Sequence, residues 1–240
     1  MVGPCLGWAS GRLVPRDSLT WVQVQRGPAR GLWLHLNPRT GRAYFEGRGE
    51  PEVQTALEQC LRPGMIFYDI GANIGFFSLL AARIVGEDGR VIAFEPDPEI
   101  AARLREHVTR NNFRAISVEE KAVWSESSMV CFARTNPRTS PDRGLGHIVA
   151  NSTSDTIQVS AVSMDEYVET VSAPDFVKCD VEGAEVEVFR GAQRLLTEKR
   201  PGVLCEMHGD GDQRQLLEMF ARFGYTCKSL DEHHFLALRQ

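Results

Sequence analysis

No apolar run in this sequence is long enough to cross a bilayer. The opening stretch, residues 1–18, lacks the long apolar core of a secretory leader. The six cysteines lie far apart and form no C-x-x-C pair, which argues against a disulfide framework. They are expected as reduced, mostly buried thiols in a cytoplasmic protein. Basic charge is not in excess either: 27 Lys and Arg stand against 32 Asp and Glu, a net charge of -5. Neither a nucleic acid nor a membrane is therefore expected as a partner. What remains, 42% hydrophobic and 25% charged over 240 residues, is an ordinary globular chain. Its length fits one large domain, or one domain with a small appendage.

Residues 1–30 carry scattered Gly, Pro and Arg and read as a loose extension. Gly31–Leu36 alternates, Asn37–Gly41 supplies turn chemistry, and Arg42–Gly47 alternates again, which predicts a β-hairpin with a longer loop. This divides the chain into an N-terminal extension, residues 1–48, and a main domain, residues 49–240. After a helix expected over Glu50–Leu61, strands alternate with helices. Met65–Ile70 is a buried strand, and Phe76–Val85 is apolar nearly all round and predicts a buried helix capped at Gly86. Arg90–Glu95 is a second strand. The next helix starts with Asp97 as N-cap and Pro98 at its first position. Ala115–Val123, Ala173–Asp180 and Gly202–Met207 are further strands. Helices are expected over Ala184–Leu196 and near Gln213–Phe223, and two short strands, Thr226–Leu230 and His234–Arg239, close the chain. The alternation predicts an α/β fold, a parallel sheet wound with helices on both faces, with one strand turned antiparallel by the terminal hairpin. Residues 124–164 interrupt it. Ser128–Arg134 and Thr156–Val162 read as strands, and the polar insert loop between them, about 134–157, is long enough to predict a functional segment, a lid over residues 135–155.

The stretch FYDIGANIGFF, Phe67–Phe77, sets an acid, a glycine turn and a buried helix in that order. In open parallel sheets, ligands bind at the carboxyl ends of the strands. Asp69 falls at such an end, and Gly71 and Gly75, with Asn73 between them, let the backbone approach a ligand closely. Glu95 ends the next strand, where an acid can hold both hydroxyls of a ribose. Two ribose ligands fit poorly. A nucleoside triphosphate calls for G-x-x-x-x-G-K-[ST], which is absent. A nicotinamide dinucleotide calls for G-x-G-x-x-G, and here the middle glycine is missing and Asp69 sets a negative charge beside the pyrophosphate. S-adenosylmethionine has no phosphate, and Asp69 suits its ammonium, directly or through water. A nicotinamide oxidoreductase and a cofactor-binding module without turnover remain the competing classes.

A second dense segment, VKCDVEGAEVEVFRGA, runs from Val177 to Ala192. Asp180 closes a strand on the same ligand edge, and Glu182 lies in the turn after it. Glu185 and Glu187 fall in the first helical turn, where acids complement the helix dipole. The strand after it places Glu206 and His208 on the same rim. Acids and a histidine gathered there can deprotonate an acceptor hydroxyl, or hold a divalent ion.

The segments GMIFYDIGANIGFFSLLAAR, VIAFEPDP, KAVWSES, VKCDVEGAEVEVFRGA and VLCEMH together resemble the FkbM family of class I S-adenosylmethionine-dependent methyltransferases. The resemblance covers residues 49–208. It implies a Rossmann-like, seven-stranded, mostly parallel sheet with an antiparallel last strand, and O-methylation of hydroxyls on sugars or natural products. N-methylation of a small molecule is the alternative. By position, it implies a cofactor loop of Asp69, Gly71, Asn73 and Gly75, the ribose on Glu95, and Lys121 and Ala122 near adenine, with Asp180 beside the cofactor. The extension and the insert loop match weakly and are expected to select a small-molecule or glycan acceptor. Cofactor binding is expected without a metal. For the chemistry we expect His208 as the base, with Asp180 and Glu182 positioning the acceptor. The rival is a divalent ion on Asp180, Glu182 and Glu206.

Overall fold

The computed structural model describes Pro15 and residues 18–134 and 146–239. Its strands are β1 (Thr20–Gln23), β2 (Trp33–Leu36), β3 (Ile66–Ile70), β4 (Arg90–Phe94), β5 (Ile116–Glu119), β6 (Ala122–Val123), β7 (Ser128–Ala133), β8 (His147–Val149), β9 (Thr156–Val162), β10 (Phe176–Cys179), β11 (Gly202–Glu206), β12 (Thr226–Ser229) and β13 (His234–Leu238). Seven of them form one sheet in the order β12-β13-β11-β10-β3-β4-β5. β11, β10, β3, β4 and β5 are parallel. β13 is antiparallel to both its neighbours, as the terminal hairpin predicted.

Both faces of this sheet are buried, so its strands read as nearly unbroken apolar runs. Along β3, Phe67 points into one apolar cluster, while Tyr68 and Ile70 point into another on the opposite face. The helix Phe76–Val85 fills the first cluster, and Gly86 ends it at φ 71°. Asp97 caps the helix Pro98–Arg110 by accepting the Glu99 N–H at 2.9 Å. Among the described residues no helix is long and apolar enough to cross a membrane.

Four expectations need correction. The hairpin exists, but its partner strands are β1 and β2, paired antiparallel from Thr20↔Leu36 to Gln23↔Trp33. Arg42–Glu46 is a short helix that Gly47 stops at φ 75°. Five residues fit either period, and here Tyr44 and Phe45 gain burial against the first cluster as a helix. Nor is the segment before residue 30 loose where it is described: Val24 and Ala29 pack in the same cluster as Leu57 and Leu79. The expected strand over 115–123 is two strands in different sheets. β6 belongs to a small four-stranded sheet, β6-β9-β7-β8, with its own cluster of Ala122, Phe132, Val159 and Ala161. The interruption at 124–164 holds the other three strands of this sheet, and residues 135–145 of the expected lid lie outside the described residues. Finally, the helix expected over 184–196 is a helix Glu185–Arg190 followed by a π-helical turn, Leu195–Lys199.

His107 ties the hairpin to the cofactor side. Its Nδ1 donates to the Ile74 carbonyl at 2.7 Å, and its Nε2 accepts the His35 N–H at 2.7 Å. Burial, with Arg103 and His35 adding like charge, pushes the pKa down to about 4, against the downhill hydrogen bond to Ile74. The unfolded chain therefore takes up a proton from about pH 6.5 downward, and the folded chain does so only near pH 4. Stability present above that window should fall by roughly 3 kcal/mol as pH drops through it. Denaturant unfolding of wild type and His107→Gln at both ends of the window checks this. The variant should lose less; equal losses would remove His107 from the acid response.

Candidate active site

The turn between β3 and the helix Phe76–Val85 is clipped to the end of β4: the Gly71 and Ala72 N–H groups both donate to the Phe94 carbonyl. Gly71 sits at φ 78°, and a Cβ there would lie 1.7 Å from the Asp180 carbonyl oxygen. Gly75, at φ 86°, leaves no room against Leu104. Only glycine meets both demands at these two positions. Asn73 is also left-handed, at φ 51°, a conformation asparagine tolerates.

Glu95 is 7% exposed and already aimed. One oxygen accepts the Asn73 N–H at 2.9 Å and the other the Asp97 N–H at 2.8 Å. Burial pushes its pKa up to about 8, with those two amides pulling the other way. Gly71, Asn73, Glu95, Lys121, Ala122 and Asp180 all line a cavity of about 690 Å³, its open mouth included. Every one of them was expected at the cofactor. Lys121 pairs with Glu119 at 2.9 Å, and Glu119 also takes the Tyr167 hydroxyl at 3.1 Å.

Two expected cofactor residues do not line this cavity. Gly75 acts in the turn beneath it. Asp69 is fully buried behind the loop, accepting the Ser78 hydroxyl at 2.5 Å and facing Lys178 Nζ at 3.6 Å. The pairing of β3 with β10 sets Lys178 opposite Asp69. Lys178 Nζ also reaches Asp180 at 3.1 Å. Burial alone would strip that ammonium; Asp180, Asp69 and Glu50 outweigh it and hold its pKa high. Asp69 thus faces Lys178 and Ser78 and not the cavity.

Other lining residues had no assignment. Asp97 faces the cavity while it caps its helix, and Arg134 forks onto it with bonds of 2.8 and 3.0 Å. Phe132, Gly146 and Ile148 bring the small sheet to the cavity wall.

On the rim, Glu182 stands at φ 55° beside Asp180, and both line the cavity. Glu206 and His208 stand behind them. His208 Nε2 lies 3.4 Å from Glu182 and 3.6 Å from Glu206. Glu185 overturns its helix-end reading: it is fully buried, and one oxygen gathers the Val181 and Gly183 N–H groups and His208 Nδ1, the last at 2.8 Å. Glu187, by contrast, pairs with Arg190 at the helix surface. The bond from Glu185 raises the His208 pKa to about 9 against the opposing effect of burial. Burial raises Asp180 and Glu182, whereas His234 beside Glu206 holds that carboxyl below its usual range. Asp180, Glu182 and His208 each offer a ligand atom within 4.8 Å of the others.

Among the described residues, four acids on the cavity wall, Glu95, Asp97, Asp180 and Glu182, stand against one lysine, Lys121. That balance suits a cationic ligand and is hostile to a pyrophosphate. With an acid at the end of β4 and a glycine turn after β3, the fold and site are those of a class I S-adenosylmethionine-dependent methyltransferase. The chain belongs to the methyltransferase FkbM domain family, whose model matches residues 69–236. It is 31% identical to the hexuronic acid methyltransferase AglP of Haloferax volcanii, over 72% of this chain and 69% of that protein. It is 26% identical to the 31-O-demethyl-FK506 methyltransferase FkbM of Streptomyces tacrolimicus, over 85% of this chain and 89% of that one. Among solved structures, the FkbM methyltransferase of Methylobacillus flagellatus matches with a TM-score of 0.51 and 18% identity; the match covers 77% of this chain and spans half of that one. A precorrin-6y C5,15-methyltransferase from Geobacter metallireducens matches with a TM-score of 0.52 and 14% identity, over 80% of this chain and 90% of that one. These two share the fold. The enzyme's cofactor is S-adenosylmethionine.

If Glu95 holds the ribose as expected, Glu95→Ala should weaken S-adenosylmethionine binding by roughly 1–3 kcal/mol, because it removes the carboxyl's hydrogen bonds to the ribose hydroxyls. Calorimetry giving unchanged affinity would take the ribose off Glu95.

Proposed function

We propose that this enzyme methylates a hydroxyl oxygen on a sugar or other natural product, with His208 as general base. The observation that carries the reading is the His208 imidazole, fixed by buried Glu185 at 2.8 Å and set directly behind Glu182. When bound, S-adenosylmethionine supplies an electrophilic methyl on a cationic sulfur. The acceptor oxygen must then stand about 3 Å from the methyl carbon, opposite sulfur. Asp180 and Glu182 hold the acceptor in that line, and His208 Nε2 takes its proton. A ring with a pKa of about 9 rests as the imidazolium. The positive sulfonium brought to the same rim favours the neutral ring, which is the form that accepts a proton.

The names of two relatives support an acceptor of this class, one a hexuronic acid and the other a demethylated natural product marked as an O-methylation site. The five described cysteines are free thiols, which suits a cytoplasmic setting. The test is transfer from methyl-labelled cofactor to pools of hydroxylated acceptors, with the product read by magnetic resonance. An O–CH₃ signal appearing with S-adenosylhomocysteine supports the reading. An N–CH₃ product, or cofactor binding without any transfer, would replace it.

A further inference from the structure

Outside the cofactor cavity, three side chains converge beside the end of β11. Glu50 precedes the helix Pro51–Cys60, Glu206 ends β11, and His234 opens β13, opposite Glu206 in the antiparallel ladder. One ligand atom from each lies within 4.8 Å of the others. His234 is 7% exposed. Its Nδ1 meets both Asp231 oxygens at 2.9 Å, so the proton sits on that nitrogen. Its Nε2 is fully covered and has no hydrogen-bond partner. It aims at Glu206 Oε2, 3.4 Å away, and Glu50 Oε2, 3.8 Å away. Glu50 Oε2 is likewise covered and unpartnered, while its other oxygen accepts the Tyr44 hydroxyl at 2.9 Å.

Unprotonated, His234 Nε2 would set three acceptors together. A proton on it answers Glu206, yet at 3.4 and 3.8 Å both contacts are longer than an ordinary N–H···O bond. They match the edge of a coordination tetrahedron instead: ligands about 2.1 Å from an ion stand roughly 3.4 Å apart. The outer partners are also in place. Metal-bound imidazoles donate their other N–H to a carboxylate, as His234 does to Asp231, and bound carboxylates are themselves hydrogen-bonded, as Glu50 is to Tyr44.

We infer that Glu50, Glu206 and His234 bind a divalent transition cation of the Mn²⁺ or Zn²⁺ class. One imidazole nitrogen selects against Mg²⁺ and Ca²⁺, which take oxygen donors. None of the three residues lines the cofactor cavity, so the ion would not touch the cofactor itself. The ion joins the start of the helix Pro51–Cys60 to the end of β11 and holds Glu206 in place beside His208. The neighbouring group of Asp180, Glu182 and His208 lacks these marks: the His208 side chain is 28% exposed, and no polar atom of the three is both covered and unpartnered.

The test uses the purified chain, stripped with chelator and titrated with Mn²⁺ and with Zn²⁺ in excess Mg²⁺. A single tight equivalent is expected. Asp231→Asn should weaken it about 10–100-fold, and Glu50→Gln and His234→Gln should weaken it at least as much. Circular dichroism establishes that each variant is folded, and Glu50→Gln stands in if His234→Gln is not. Pulsed electron spin resonance of bound Mn²⁺ should show imidazole nitrogen coupling that disappears in His234→Gln and persists in His208→Gln. No stoichiometric binding, equal affinity in Glu50→Gln, or coupling lost with His208 instead, would each overturn the site. None of these readouts requires turnover, so they stand whatever acceptor the enzyme uses.

Discussion

His208→Ala is expected to lower turnover by about 10²–10⁴, the usual cost of losing a general base, while leaving S-adenosylmethionine affinity nearly intact. The two readouts separate because His208 stands behind Asp180 and Glu182 and does not itself line the cofactor cavity. Alanine also leaves Glu185 with only its two backbone donors, so His208→Gln is the cleaner companion. Glutamine retains a donor for Glu185 yet cannot accept the acceptor's proton. Both variants should be slow and both should bind cofactor. If His208→Gln turns over within a few-fold of wild type, the ring only positions its neighbours and the proton leaves by another route. The rival is an ion on Asp180, Glu182 and Glu206. Geometry disfavours that set, since the structure draws Glu206 to His234 at 3.4 Å and gathers His208 with the other two.

Lys178→Met should destabilise the fold by roughly 3–5 kcal/mol, the cost of stranding a buried charge. Lys178 is the ammonium between Asp69 and Asp180, and its side chain is 4% exposed. Asp69 Oδ1 has no hydrogen bond of its own, so among the described residues only the Ser78 hydroxyl, on Oδ2, answers the carboxylate once the lysine is gone. Adding Asp69→Asn removes the stranded charge and should restore part of the loss, which makes the pair a double-mutant cycle. Urea unfolding measures all four corners. A Lys178→Met chain within about 0.5 kcal/mol of wild type would show that water reaches Asp69 and that the pairing contributes little.

The main sheet was legible because its strands and helices are long, strongly patterned and locally punctuated. Asp97 before Pro98 and Gly86 after Val85 mark helix ends by chemistry that acts within a few residues. The hairpin was misplaced because Arg42–Glu46 is too short for its period to decide between helix and strand. Strand-end positions were also legible, and they brought Glu95, Asp180 and Glu182 to the cavity. The direction of a side chain at such an end was not. Asp69 sits where a ligand-facing acid belongs, yet the register across β10 gives it Lys178 as a partner. Glu185 was missed for a related reason. Its position in the first turn of a helix has a sufficient local explanation, and the partner that overrides it, His208, lies 23 residues further on. Glu206 and His234 come together only through β13 folding back along β11, a juxtaposition that no local spacing announces.

The small sheet β6-β9-β7-β8 pairs with no strand of the main sheet and has an apolar cluster of its own, yet Phe132 and Ile148 reach the cavity wall. Inheritance can therefore treat it as a cassette. Substitutions and length changes between Ala122 and Val162 reshape the cavity wall without disturbing the register of the seven strands that present the cofactor residues. A laboratory chimera exchanged between Val123 and Val162, paired at the seam of the small sheet, would show whether this wall selects the acceptor.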